Sequence, residues 1–279
     1  EQDYRNQLFF DFETNRVVSS NLKTEWDLGF ESSSEGFHLF LNSAKGMAVH
    51  QSTLSFEELI SEEELEWRWD APSGNPDSTA IGDWITDDYL YLIDRGYAHT
   101  GEHQGYYKLN LISGNEHEYF FQYGELSETN STPFTLTKAE FHSLTYFSFE
   151  SGVVTIAPED DQWDLMFTQY IHLFSDPPSQ YIVSGVLLNR YETSAIITTD
   201  LEFSEITFED AQNAALSYDL NTIGYDWKWY DFDAGAYTVN SSLTYLVRTS
   251  EGYFYEMRFT DFYNEVGEKG FPKFEFQQL

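Results

Sequence analysis

Phe10-Asp11-Phe12-Glu13, then Val17-Val18, then Trp26-Asp27-Leu28-Gly29-Phe30 open the chain, and a second series answers them. It runs Phe147-Ser148-Phe149-Glu150, Val153-Val154 and Trp163-Asp164-Leu165-Met166-Phe167, with the first and last blocks both displaced by 137 residues. One offset shared by two separated motifs marks an internal repeat. The order persists downstream: Ser55-Phe56-Glu57-Glu58 answers Thr207-Phe208-Glu209-Asp210, and Ile81-Gly82-Asp83-Trp84 answers Ile223-Gly224-Tyr225-Asp226-Trp227. Gly105-Tyr106-Tyr107 answers Gly252-Tyr253-Phe254, and Tyr119-Phe120-Phe121-Gln122 answers Phe274-Glu275-Phe276-Gln277. The expected organisation is two tandem copies, 1–130 (the more divergent) and 138–279. Their joint is expected in the polar stretch from Leu126 to Lys138, which holds Pro133.

Inside each copy the period is two. Trp163, Leu165 and Phe167 alternate with Asp164, Met166 and Thr168; Leu243, Tyr245 and Val247 alternate with Thr244, Leu246 and Arg248. Tyr253, Tyr255, Met257 and Phe259 continue the pattern beyond Thr249-Ser250-Glu251-Gly252, a hairpin turn in which Gly252 supplies positive φ. Alternation of this kind predicts a mainly β chain of antiparallel sheets. Ser55-x-x-Glu58 and Thr207-x-x-Asp210 have the form of capping boxes and predict one short helix per copy, the second burying Phe208, Ala211, Ala215 and Leu216.

Composition sets the outer bounds. The formal charge is −34 with only 14 Lys plus Arg, which repels phosphate backbones and anionic lipid, so nucleic acid is excluded as a partner. There is no cysteine, hence no disulfide and no thiolate chemistry. Phe, Trp and Tyr make up 18% of the residues, enough to build an aromatic β core. No apolar run reaches the roughly 18 residues of a membrane helix. The opening at Glu1 without Met fits a trimmed export product, and construction of the chain for expression explains it equally well.

The second copy resembles the HmuY family of haem-binding lipoproteins of Bacteroidota. The resemblance is carried by Tyr146-Phe147-Ser148-Phe149-Glu150-Ser151-Gly152-Val153-Val154 and by Trp163-Asp164-Leu165-Met166-Phe167 with Tyr170. It continues in the block from Tyr245 to Gly252, in Met257-Arg258-Phe259-Thr260-Asp261-Phe262 and in Lys269-Gly270. It covers residues 140 to 279, with a weaker echo over 4 to 125. It implies an all-β fold with few helices, a non-enzymatic binding role, haem as ligand, and export to the outer membrane or cell surface. Attachment would be through a lipid anchor absent from this chain. It also implies two axial iron ligands, His or Met. One is expected in the middle segment and one after the Trp that precedes the last hairpin. Residues 191–221 and 227–245 contain neither. Haem ligation by the second copy alone is therefore not expected; Tyr191, Tyr218, Tyr225, Tyr230 and Tyr237 remain as conceivable ligands, but a Tyr ligand would depart from the family mode.

The first copy holds the remaining candidates for haem or a metal: Met47 and His50, and His99 and His103 around Thr100-Gly101-Glu102. Gly96, Gly101 and Gly105 argue against a helix there, so the i, i+4 spacing of the two histidines equally describes an exposed loop. Trp26-Asp27 and Trp163-Asp164 read as core: Trp points inward and Asp ties a neighbouring backbone N–H. The acidic runs Glu62-Glu63-Glu64, Asp87-Asp88 and Glu159-Asp160-Asp161 match no calcium loop and read as solvated surface. No nucleophile elbow, phosphate loop or His-Glu-x-x-His is present, so no enzyme is expected. With seven Trp and twenty Tyr available for stacking, the alternative is a surface module for a glycan or a protein.

Overall fold

The computed structural model describes residues 3–63, 65–199 and 203–279. It is mainly β, as the alternation predicts, with antiparallel sheets and one α-helix, Phe208–Asn213, among the described residues. The chain forms two compact units. Unit one comprises Glu1–Ser20, Pro158–Gln169 and Val183–Leu279; unit two comprises Asn21–Ala157 and Tyr170–Ile182. The expected boundaries at 130 and 138 do not coincide with these units.

The opening motifs explain the difference. In unit one, Asn6–Asp11 pairs with Leu165–Ser175, setting Leu8 opposite Phe167 and Phe10 opposite Leu165. In unit two, Leu144–Ser148 pairs with Leu28–Glu31, setting Phe147 opposite Leu28. Phe10-Asp11-Phe12-Glu13 thus joins Trp163-Asp164, and Phe147-Ser148-Phe149-Glu150 joins Trp26-Asp27. The pairs are matched in detail: Asp164 N donates to Phe10 O at 2.8 Å, and Asp27 N donates to Phe147 O at 2.8 Å.

Unit two holds a four-stranded sheet in the order Gly152–Val154, Leu144–Ser148, Leu28–Glu31, Leu39–Leu41. Its five-stranded meander runs Ala48–Ser52, Leu90–Asp94, Tyr106–Gly114, Glu118–Glu125, Thr132–Thr137. The last strand lies inside the stretch expected to be a linker. Pro133 is tolerated because this is an edge strand, where no ladder N–H is required of it. The core of this unit is Leu28, Phe30, Leu39, Val49, Tyr91, Ile93, Leu109, Phe121 and Phe147, among others.

Unit one holds a sheet in the order Ser194–Thr198, Thr244–Arg248, Phe254–Tyr263, Lys269–Gln278, and a short hairpin of Lys228–Asp231 with Ala236–Val239. Its core gathers Phe10, Phe12, Leu165, Val186, Trp227, Tyr245, Val247, Met257 and Phe259. Trp227 stacks on Phe259 at 3.8 Å between centroids. Gly252 closes the predicted turn with φ +88° and donates its N–H to Thr249 O.

Only one of the two capping boxes starts a helix. Thr207 accepts from Asp210 N while Asp210 reaches back to Thr207 N, and Phe208–Asn213 follows. Ala211, Ala214 and Leu216 pack with Ile206 and Leu246, whereas Phe208, at the start of the helix, and Ala215, beyond its end at Asn213, stay exposed. At Ser55, Glu58 does bond back to the Ser55 N–H at 2.8 Å, but the segment is a turn. Glu64 of the first acidic run lies outside the described residues. No described helix is long and apolar enough to cross a membrane.

Candidate functional site

Unit one holds an apolar pocket of about 300 Å³ walled by Leu8, Phe10, Val17, Phe167, Trp227, Phe262, Pro272 and Phe274. Tyr4, Asn6, Thr168, Gln169 and Ser184 add polar groups, and Gly185 and Gly270 leave backbone exposed to it. The alternation of the strands builds this wall. Leu8 and Phe10 are two apart on Asn6–Asp11, and Phe167 faces Leu8 across the ladder. Phe274 stacks on Phe167 at 5.5 Å and meets Phe10 edge-on at 5.2 Å. A few polar groups on an aromatic wall is the usual make-up of a small-molecule site, and the volume lies at the lower end of the range for such sites.

Lys228 does not line the pocket but packs against three residues that do, Ser184, Trp227 and Phe262. Its Nζ donates to Ser184 O at 2.7 Å and Tyr225 O at 3.3 Å and lies over the rings of Trp227 and Phe262. Burial pushes its amine down to about 8, with Asp226 opposing.

A second feature of unit one lies at the ends of the same strands. Asp11, Glu13 and Asp164 bring carboxylate oxygens within 4.8 Å of one another. Asp164 is fully buried. Its Oδ2 accepts from Phe12 N at 3.0 Å and its Oδ1 from Ser250 N at 3.0 Å, while Thr193 Oγ1 lies 3.4 Å from Oδ1. Thr249 Oγ1 donates to Glu13 Oε1 at 2.7 Å, and Glu13 Oε2 is shielded without a hydrogen-bond partner. Burial pushes the Glu13 carboxyl up to about 7; the Thr249 hydroxyl opposes, and the charge of Asp164 adds to the rise.

Unit two carries the counterpart, built oppositely. Asp27 is fully buried and accepts from Phe149 N at 2.9 Å, as Asp164 accepts from Phe12 N. Here Lys45 ion-pairs with Asp27, and Arg95 forks onto it, Nε to Oδ1 at 3.0 Å and Nη2 to Oδ2 at 3.1 Å. Arg95 also reaches Glu150 at 3.0 Å. Asn42 and Asn189 complete the parallel: each donates its amide to the carbonyl of the preceding Trp, Trp26 or Trp163, at 2.8 Å. Burial alone would raise the Asp27 carboxyl; the charges of Lys45 and Arg95 outweigh it and hold Asp27 below its ordinary value.

The four candidates from the first copy all fall in unit two and outside the apolar cavity of unit one. Met47 is a core residue, 1% exposed. His50 sits on Ala48–Ser52 with Nδ1 3.1 Å from Glu66 O. His103 lies 2.8 Å from Asp94 Oδ1 through Nε2 and packs against Tyr97 and Tyr106; His99 lies in the loop before it. Among the described residues, the converging group of three His, Asp or Glu is Asp11, Glu13 and Asp164, and none of the four candidates belongs to it. Sequence reasoning missed this group and the cavity. The one available signal was the substitution inside the repeat, Asp11 where the other motif has Ser148.

These observations meet an independent comparison. The family model described as HmuY protein matches residues 3–276, and the chain belongs to the HmuY family. No curated protein matches the chain. Among solved structures, apo PinO from Porphyromonas gingivitis aligns at 8% identity over 100% of this chain and 93% of its own, with a TM-score of 0.37. A Bacteroides fragilis chain designated a lipoprotein aligns at 16% identity over 63% of this chain and 92% of its own, TM-score 0.26. A Bacteroides vulgatus chain designated a HmuY-like haem-binding protein aligns at 13% identity over 61% and 90%, TM-score 0.26.

Proposed function

We propose that this HmuY-family chain is a non-enzymatic binding protein of the cell surface, and that the aromatic cavity of unit one takes a small, flat, apolar ligand. The carrying observation is the wall itself: Phe10, Phe167, Trp227, Phe262 and Phe274 with few polar groups. Family membership supports haem or a related ring compound as the ligand class. The wall offers no His and no Met, so the ligand is held by stacking and burial rather than by axial iron ligation in the family manner. The duplicated motifs, each with the same Asp-to-backbone bond, support descent of the two units from one ancestral copy. Export on a lipid anchor follows the family and is checked by fractionating the native cells.

The test titrates the full chain and a Trp227→Phe variant with haemin and with iron-free protoporphyrin, following the quenching of tryptophan emission that the variant lacks. Equal affinity for both is expected. A low-spin haemin spectrum that is lost when Met47, His50, His99 and His103 are replaced by Ala would overturn this reading and move the iron to unit two.

One observation favours the alternative of a glycan or protein partner. The hairpin Lys228–Asp231/Ala236–Val239 exposes Trp229, Tyr230 and Phe232, the last 88% accessible. Exposed aromatics of this kind act as stacking platforms, and a glycan array with and without Trp229→Ala separates this reading from the first.

A further inference from the structure

We propose that Asp11, Glu13 and Asp164 form a proton-operated latch in unit one, closed while the cluster shares a proton and released once that proton is lost. The inference comes from the contrast between two otherwise matching sites. In unit two the buried Asp27 meets an ammonium and a guanidinium, so Asp27, Glu150, Lys45 and Arg95 sum to no charge. In unit one, Thr249 follows the central strand Thr244–Arg248 as Arg95 follows Leu90–Asp94. Thr193 follows Asn189 as Lys45 follows Asn42. Both cations are therefore replaced by hydroxyls, and Asp11 is added.

Three carboxylates within 4.8 Å cannot all stay ionised while shielded from water. Among the described residues none of the three has a Lys, Arg or His in ion-pairing contact; their partners are Phe12 N, Ser250, Thr193, Thr249 and Thr14. The surrounding elements add no neutralising charge. The strand Phe254–Tyr263 contributes the Tyr255 phenol, itself pushed up to about 12 by burial first and then by Glu13, Asp164 and Asp11. Tyr253 lies beyond it, and the Arg248 guanidinium lies against Gly252 of the turn.

The proton belongs with Glu13. Burial pushes the Asp164 carboxyl up as well, but both of its oxygens sit on backbone N–H groups, which oppose that rise and favour the charged form. Glu13 has a free, shielded Oε2 and sits beside Asp11. A proton there turns repulsion between Glu13 and Asp11 into a hydrogen bond. The sign follows from linkage. A carboxyl raised on folding binds its proton more tightly in the native state, so its stabilisation is largest at acid pH and is lost as pH rises from about 4.5 to about 7. Asp11 and Asp164 end the paired strand segments that carry Phe10 and Phe167, so release loosens the cavity wall. That consequence for a ligand rests on the function proposed above; the latch itself does not.

The experiment is amide hydrogen exchange on the full chain at pH 5.5 and pH 8, corrected for intrinsic rates. Glu256→Gln serves as background, because burial also pushes that unit-one carboxyl up to about 7. Residues 6–11 and 165–169 should lose protection by on the order of tenfold at pH 8 while residues 28–31 and 144–148 do not. Glu13→Gln, which keeps an acceptor for Thr249, should retain protection at pH 8, and Asp11→Asn should do the same in part. Protection that is independent of pH, or a Glu13→Gln variant as pH-sensitive as its parent, overturns the proposal. So does recovery at pH 8 on adding millimolar calcium, which would make the cluster a cation site.

Discussion

Replacing Asp27 by Asn asks how much of unit two depends on one buried charge. Lys45 is fully buried and Arg95 is 3% exposed, and Asp27 is the carboxylate that both contact. Asn keeps the shape and one acceptor. It leaves an ammonium and a guanidinium with no full negative charge apart from Glu150, which is largely solvent-facing. Removing one partner of a buried pair typically costs about 3–5 kcal/mol, because the remaining charge is stranded. For a unit of this size that is a large fraction of the whole stability and lowers the midpoint by on the order of 10 °C. The assay is urea unfolding followed by near-ultraviolet dichroism, compared with a triple variant, Asp27→Leu, Lys45→Met, Arg95→Met. The triple variant removes all three charges together and should be close to wild type or more stable. A loss below about 1 kcal/mol for Asp27→Asn, against the cost above, would refute the reasoning. So would a triple variant less stable than the single one.

Other consequences are simpler to read. Unit two should lose stability on acidification, because the Asp27 carboxyl is held low and its contribution fades as pH falls through that lowered value; unit-resolved exchange between pH 5 and pH 2 checks it. Gly96→Ala should cost about 2 kcal/mol or more, since φ is +67° and a Cβ would stand 2.1 Å from Lys45 O; thermal unfolding measures it. Thr207→Ala removes the cap of Phe208–Asn213 and should cost about 1 kcal/mol, whereas Ser55→Ala, in a turn with no helix behind it, should cost less; urea midpoints of the two variants decide.

The β character was legible because the apolar positions at Tyr245, Val247, Tyr255, Met257 and Phe259 repeat every second residue and are all buried. The roles of the two Trp-Asp motifs were legible for the same reason: both Trp side chains are buried and both Asp side chains tie a backbone N–H. The exchange of opening strands was not legible. Phe-Asp-Phe-Glu and Phe-Ser-Phe-Glu present the same alternation to any edge, and nothing local says which Trp-Asp motif each will join. The cations of Asp27 were hidden by separation, 18 residues to Lys45 and 68 to Arg95. The strand at Thr132–Thr137 was hidden by composition, since its Thr and Pro resemble a linker until the edge position makes Pro133 acceptable. The cavity depends on residues from five separate stretches of chain, a convergence no window of sequence displays.

The exterior carries nearly the whole formal charge, because the buried bases are almost matched by the buried acids Asp11, Asp27, Glu31, Asp164 and Glu256. Six of the fourteen basic side chains, Lys23, Lys45, Arg95, Lys108, Lys138 and Lys228, are buried. They act as internal staples. Lys108 Nζ donates to the carbonyls of Phe56, Glu58 and Glu128, and Lys138 Nζ to those of Ser33 and Gly36. Ammonium groups so enclosed cannot present charge to a partner. An anionic surface therefore meets repulsion with little local relief, and what such an exterior tolerates is a neutral or cationic partner, or an apolar ligand whose recognition ignores charge. The aromatic cavity of unit one fits the last description, and it lies in the unit whose buried aspartate lost its cations. If Glu13 carries the missing positive charge as a proton, the cavity wall and the acidity of the medium become linked within a single pair of strands.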